Sequence, residues 1–527
     1  MARSLFTKLH RRFGQRLTGS ARTRHAHRAL ASLDARIPQV PDEGLFGRAR
    51  APAHVAVVGA GFGGLSTAYW LSRWGFRVTV FESADRVGGR VHTLDRWVDG
   101  RLTEAGAELI GLNHPQWLRF SREFGLGLSV ITPEDDYDGW GLEMPLYLNG
   151  ELVPREQAEA LYNEMDAILG GMTHDALTVP AFTPWDAPHA ARWDAMSLRQ
   201  WLDTHPMSDL ARAAIEVTLA NNNAEPTHRQ SYLANLALVA GGGFDGQGNA
   251  NFWDLTEVFR CERGNQALAA CLRGYVEGRP GESRVELGAP VRRVELGAGG
   301  VRLRVGDESE PRTADYVVFA LPAAAWDTVE VTPALPAEMR MNVGPVVKFL
   351  TRVRERFWIR EALAPSATSD ACGEMWEGTD NQMTAGDEGL ELTLFAGGDA
   401  ARAAIDQGDP TAWYRERIGR MYPAYAANAL DHRFVNWPAD PHIRGGYSCP
   451  LPGQVTTVGP FLNEMYQGRM AFAGEHTCLA FFGYMEGALE SGLRAALRVA
   501  WASNTVPAHH GAEFRRAAQA AGVPGTA

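Results

Sequence analysis

Residues 54–82 constrain this chain more than any other stretch. Val55 to Val58 is a short β-branched apolar run, the composition of a buried strand. Gly59, Gly61 and Gly64 follow on the G-x-G-x-x-G spacing, with Gly63 between the last two. The first glycine permits a tight turn, the second lets a pyrophosphate approach the backbone, and the third lets the next helix pack close to the strand. That helix would open with free N–H groups facing the phosphates. A second strand, Arg77 to Phe81, ends at Glu82, where an acidic side chain can bind ribose hydroxyls. Strand, glycines, helix, strand and acid in this order specify a dinucleotide-binding α/β unit, where an isolated glycine turn would not.

The pattern continues as Glu82-x3-Arg86-x-Gly88-Gly89-Arg90. The whole stretch resembles the flavin-binding signature of the monoamine oxidase and L-amino acid oxidase superfamily. The resemblance implies an α/β fold: a Rossmann-like FAD-binding domain with a discontinuous α+β substrate domain. It further implies that Glu82 binds the adenosine ribose and that Arg86 and Arg90 lie by the ribose or diphosphate. Gly59, Gly61, Gly63, Gly64, Gly88 and Gly89 would shape the diphosphate site.

Further segments carry the same resemblance from about residue 53 to 500. Gly106-Ala107-Glu108 is similar to the family turn that contacts the flavin ring through its backbone. Arg263-Gly264-Asn265-Gln266 returns to the flavin domain, with arginine where the family usually has a glycine. The strand-like run 284–291 would bring the backbone of Val291 to adenine. Gly474-Glu475 and Gly483-Tyr484-Met485-Glu486-Gly487 resemble the last flavin-contacting motif, with Glu475 at the ribityl-diphosphate region and Tyr484 and Met485 at the flavin. Tyr484 would form one wall of an aromatic cage. Ser448 stands where the other wall is expected, so either the cage is incomplete or another aromatic completes it. Tyr447 occupies the position of the cysteine that tethers flavin in monoamine oxidases, which implies non-covalent FAD.

Lys348 sits in the apolar run Val346 to Leu350. A buried lysine is rare unless satisfied. The resemblance gives Lys348 and Tyr484 the catalytic positions, the lysine holding a water against flavin N5. On residue type alone, an edge-strand lysine facing solvent fits as well. The implied reaction is hydride transfer from the carbon bearing an amine to flavin, giving an imine, with O2 reoxidising the cofactor to hydrogen peroxide. An L-amino acid oxidase or amino-acid monooxygenase, a flavin desaturase, and a non-catalytic FAD-stabilised interaction protein are the alternatives. Leu109 stands where amino-acid oxidases have a carboxylate-clamping arginine, which tilts the reading towards amines. Arg260 or Arg444 could supply the clamp from another strand.

Composition closes off other classes. The net charge of −11 and the lack of a basic-aromatic stripe argue against nucleic acid. No metal-like Cys/His spacing and no G-x-S-x-G elbow occur. The five cysteines have no paired spacing, which reads as reduced thiols in a cytoplasmic protein. Residues 1–50 hold 11 Lys+Arg against 3 Asp+Glu, a net of +8 that leaves −19 for the rest. Within residues 1–37, Leu5, Phe6, Leu9, Phe13 and Leu17 recur at near-helical spacing among basic residues. Three readings stand: an extension with one face on the catalytic body, weak contact with an anionic membrane surface, or a targeting segment. The expected organisation is an extension and linker at 1–52; an FAD-binding domain at 53–130, 256–325 and 444–505; a substrate domain at 131–255 and 326–443; and a tail at 506–527. Helical patterns are expected at 154–169 and 197–219.

Overall fold

The computed structural model describes residues 4–14, 53–279, 283–382 and 389–503. Residues 15–37 of the basic extension, the linker up to 52 and the tail 506–527 lie outside the described residues.

The elements that position the site are, in chain order, α1 (Leu5–Phe13), β1 (His54–Val58), α2 (Phe62–Arg73), β2 (Arg77–Phe81), β3 (Arg284–Glu286), β4 (Tyr316–Phe319), β5 (Val346–Val353), β6 (Leu390–Gly397), β7 (Met470–Phe472) and α3 (Met485–Ala502). Five of the strands form a parallel sheet in the order β7–β4–β1–β2–β3. β1 is central and buried from Val55 to Val58, which explains its unbroken apolar run. α2 and α3 cover this sheet. They cross closely because α3 presents Gly492, where a Cβ would stand 2.5 Å from that of Ser66.

A seven-stranded sheet forms the other half. β5 and β6 lie inside it, β5 flanked by Ala429–Asn436 and by β6. The ladder pairs Lys348 with Phe395. All seven strands lie between residues 146 and 436, and all five parallel strands between 54 and 472. The segment 115–255 is mainly helical, with the longest helix at Arg155–Ala176. The pattern expected at 197–219 divides into Leu198–Leu202 and Asp209–Asn223. Pro206 lies between them, and proline cannot donate to a continuing helix. Glu330–Thr332 pairs with Val291–Gly297 in a separate four-stranded sheet.

The largest departure is α1. Ser4 caps it, its Oγ accepting from Thr7 N at 3.2 Å. Leu5, Phe6 and Leu9 sink into the main core cluster, with Phe6 edge-on to Trp253 at 4.9 Å. Lys8 is also fully buried, paired at 2.5 Å with Glu374. The apolar face of residues 5–13 meets protein. α1 is not a solvated extension with one face docked, since both of its faces are covered. No helix among the described residues is long and apolar enough to cross a membrane.

Candidate active site

The turn after β1 is set by backbone. Gly59 has φ +105°, and a Cβ there would lie 2.8 Å from Ala320 O. A Cβ on Gly64 would stand 1.9 Å from Gly59 O, so only glycine lets α2 start this close to the strand. Gly61 is different: nothing lies within 4 Å of its Cβ position, and it borders an open cavity. No side chain caps the N-terminus of α2 there. Glu82 reaches the same cavity, its oxygens fixed by Ala60 N at 2.6 Å and Ala84 N at 2.8 Å. An open glycine face, uncapped helix donors and an oriented carboxylate fit the diphosphate and ribose of FAD.

Of the residues expected at the cofactor, Gly59, Gly61, Gly63, Glu82, Gly88, Gly89, Arg90, Gly106, Ala107, Glu108, Gly474, Glu475, Tyr484 and Met485 line this cavity, as does Lys348. Three do not. Gly64 works from behind the wall, through the close packing just described. Arg86 donates to the carbonyls of Gly89 (2.8 Å) and Val91 (3.2 Å), so it braces the glycine loop and lies outside the lining. Val291 opens a strand of the four-stranded sheet and lies outside the lining, because the chain turns between β3 and that strand.

Arg90 donates to Glu475 at 2.7 Å and to Gly446 O at 2.9 Å. Glu475 also accepts from Ser448 Oγ at 2.5 Å and from Gly483 N at 2.6 Å. Burial pushes this carboxyl up, but Arg90 and the other donors outweigh it and hold it below the usual range. Ser448 is thereby committed to Glu475 and builds no cage wall. Tyr447 lines the cavity, as Tyr484 does. Its ring packs against Gly483, where a Cβ would come within 3.0 Å, and its hydroxyl donates to Asn221 O at 2.8 Å. Burial raises both phenols well above their ordinary value, which keeps them neutral. Phe395, Trp437, Val346 and His442 also line the cavity. The sequence reading missed them. Phe395 could have been found only from the ladder that sets it beside Lys348. Trp437 comes from a short turn held by Trp437 Nε1 to Ala105 O at 3.1 Å, which has no local signature.

Lys348 is 4% exposed, on a strand paired on both sides, so the solvent-facing alternative is excluded. Its Nζ donates to Glu108 Oε2 at 2.8 Å and to Glu104 O at 2.9 Å. Glu108 Oε1 takes Arg260 Nε at 3.0 Å, Arg260 Nη2 at 2.8 Å and Trp376 Nε1 at 2.9 Å. Burial alone would raise the Glu108 carboxyl; Lys348 and Arg260 overcome it and bring it to about 2. Glu108 therefore acts through its side chain as well as its backbone. Asn265 holds the same turn, donating to the carbonyls of Ala107 (3.0 Å) and Glu108 (2.7 Å). Neither candidate clamp serves the cavity: Arg260 is bound to Glu108, and Arg444 pairs at the surface with Asp327 at 2.7 Å. Among the described residues, no cluster of His, Cys, Asp and Glu has a metal-holding arrangement.

Comparison with known proteins agrees with this geometry. Residues 62–500 match the family model of flavin containing amine oxidoreductases. The chain is 27% identical over 477 residues to the flavin-containing amine oxidase A of Equus caballus, covering 84% of each chain. A redesigned triple mutant of putrescine oxidase has a similar structure, with TM-score 0.74 and 24% identity over 85% of this chain and 98% of that one. Cyclohexylamine oxidase from Brevibacterium oxydans gives TM-score 0.71 and 22% identity over 86% and 99%. With most of its length matched, the chain belongs to the flavin-containing amine oxidoreductase family and is an FAD-dependent amine oxidoreductase.

Proposed function

We propose that the protein is an oxidase of small amines, taking a hydride from the carbon that bears nitrogen and releasing an imine, which hydrolyses to a carbonyl compound. Bound FAD supplies the hydride acceptor and passes the electrons to O2, giving hydrogen peroxide. The protein supplies an enclosed aromatic wall. An amine has a pKa of roughly 10 in water, and a poorly solvated site favours its reactive neutral form. Tyr447, Tyr484, Phe395 and Trp437 provide that environment without charge. Lys348, fixed by Glu108, keeps one cation at the wall facing the cofactor.

The observation that carries the amine reading is the state of the arginines. Arg90 is the one arginine lining the cavity among the described residues, and it is engaged by Glu475 and Gly446. An α-amino acid would bury its carboxylate without a bidentate partner, at a cost of several kcal/mol, about 3 or more. The ratio of kcat/KM for 2-phenylethylamine to that for L-phenylalanine tests this. A value well above one is expected; a clear preference for the amino acid would sink the reading.

FAD is held here without a covalent bond, a reading supported by Tyr447 at the tethering position and by Cys449 lying outside the cavity lining. Burial also pushes the Cys449 thiol well up, away from the nucleophilic thiolate. Acid precipitation is expected to leave the flavin in the supernatant; yellow colour in the pellet would contradict this. A cytoplasmic setting is part of the same proposal, supported by five unpaired cysteines.

A further inference from the structure

α3 carries two arginines one helical turn apart, Arg494 and Arg498, which are 1% and 3% exposed. Residues at i and i+4 are neighbours on a helix surface, so two cations placed there repel each other. Burial, and then the charge of Arg494, pull Arg498 down to about 9. Arg498 has one fixed partner: its Nη2 donates to Asn463 Oδ1, and Asn463 is oriented by its own bond to Gly459 O at 2.9 Å. Arg498 Nε has no acceptor. Arg494 is barer still. Its Nε, Nη1 and Nη2 are all buried without a hydrogen-bond partner, and no carboxylate among the described residues forms an ion pair with it.

A guanidinium stays protonated in a protein interior, and a buried charge without a counter-charge is strongly destabilising. The neighbouring acids do not supply the balance. Glu490 lies one turn before Arg494, but its carboxyl accepts from Gln116 Nε2 at 2.9 Å. Glu486 is turned to the N–H groups of Gln116 and Trp117, at 2.8 and 2.9 Å. Burial pushes both carboxyls up, Glu486 to about 8. Cys478 feels the charge of Arg494, yet burial pushes its thiol up to about 12 and keeps it neutral. What covers Arg494 is Phe182, whose ring centroid lies 5.4 Å from the guanidinium carbon. An aromatic face attracts a cation but has no net charge to cancel it. Phe182 is half-buried and belongs to the irregular segment between Arg155–Ala176 and the short turn Pro184–Asp186. The cover is therefore a loop side chain and not a packed element.

We propose that Arg494 and Arg498 hold a small monovalent inorganic anion, chloride or an ion of its size, beneath Phe182. The anion accepts from the free N–H groups of both guanidinium forks and cancels their repulsion. A single charge fits the place better than two, because a doubly charged oxyanion would give up more hydration under an apolar ring. Neither arginine lines the cofactor cavity. Arg494 follows Met485 by nine residues, about 14 Å of helix, so this site is separate from the diphosphate site and does not depend on the oxidase reading.

The test uses the intact FAD-loaded protein. Crystals grown in sodium bromide are expected to show an anomalous-scattering peak against the Arg494 guanidinium. Bromide found at surface positions alone, an adventitious ion only, overturns the proposal. In solution, melting is compared in sodium chloride and in sodium gluconate at equal ionic strength, gluconate being too bulky for the site. Chloride is expected to raise the melting temperature by about 3 °C over gluconate. Equal melting in the two salts counts against the site. Arg494→Met keeps the side-chain length and removes the charge, so it is expected to abolish the chloride response while melting no lower than the parent in gluconate. A variant that loses the same number of degrees in both salts would show that Arg494 has its partner within the protein, and would overturn the proposal. Should Arg494→Met fail to fold, the bromide crystals of the parent protein still decide.

Discussion

The two ends of the cavity are built from different materials. At the nucleotide end, Glu82 is held by backbone N–H groups 22 and 2 residues away, and the walls are glycines whose missing Cβ atoms let backbone pack close, with Gly61 left open. At the substrate end, Glu108 is held by side chains 240, 152 and 268 residues away: Lys348, Arg260 and Trp376. One glutamate sits in a local backbone device, the other at the hub of a buried charge network. Backbone donors carry no charge that needs balancing. Buried cations do, so the substrate end is held by mutual dependence.

Glu108→Gln breaks the network most directly. It leaves Lys348 and Arg260 buried without their shared counter-charge, at a cost of about 3–5 kcal/mol. Glu82→Gln keeps an acceptor for one backbone N–H and costs about 1 kcal/mol. Urea unfolding of the FAD-free proteins gives both values. Equal losses would show that the two ends are held in the same way.

The nucleotide end is instead sensitive to volume. Gly64→Ala sets a Cβ against Gly59 O, a backbone atom that cannot rotate away. A stability loss of about 1–3 kcal/mol is expected, with weaker retention of flavin absorbance on gel filtration. An alanine variant that keeps its yellow colour and its melting temperature would show that α2 can shift outward at no cost.

The remaining effect is a pH slope, read as a change in melting temperature. Burial, then the charge of Glu108, pushes the Glu391 carboxyl up to about 8. Its folded value lies above its unfolded value of 4.5, so the native state binds the extra proton. The stability this group contributes is complete below about pH 4.5 and is lost as pH rises through about 8. Each unit of such a shift is worth about 1.4 kcal/mol. Glu391→Gln is expected to flatten the fall in melting temperature between pH 5 and 8. An unchanged slope would place the titration elsewhere.

The same division decided what could be read in advance. The strand, glycines and acid of residues 54–82 form one continuous device, so their order and spacing carried the fold and the cofactor site. Lys348 was legible as a buried lysine, but its partner was not, since nothing local to 346–350 points to Glu108. Arg86 was placed in the glycine loop by position, but its bonds to the loop's own carbonyls follow only from the folded backbone. Tyr447 was noticed as the residue replacing a tether, and its part in the aromatic wall follows from the Ser448–Glu475 bond that turns its neighbour inward.

By itself, the sequence determined the dinucleotide-binding unit, the family and the local turns, because those depend on short-range sterics: a positive φ, a missing Cβ, a helix start. Only the tertiary structure decided where the charges go. The apolar spacing of residues 5–13 fits an extension with one face on the catalytic body, a membrane surface or a targeting segment. What covers their basic face is five carboxylates scattered between residues 134 and 374, which converge to neutralise α1 only once the chain has folded.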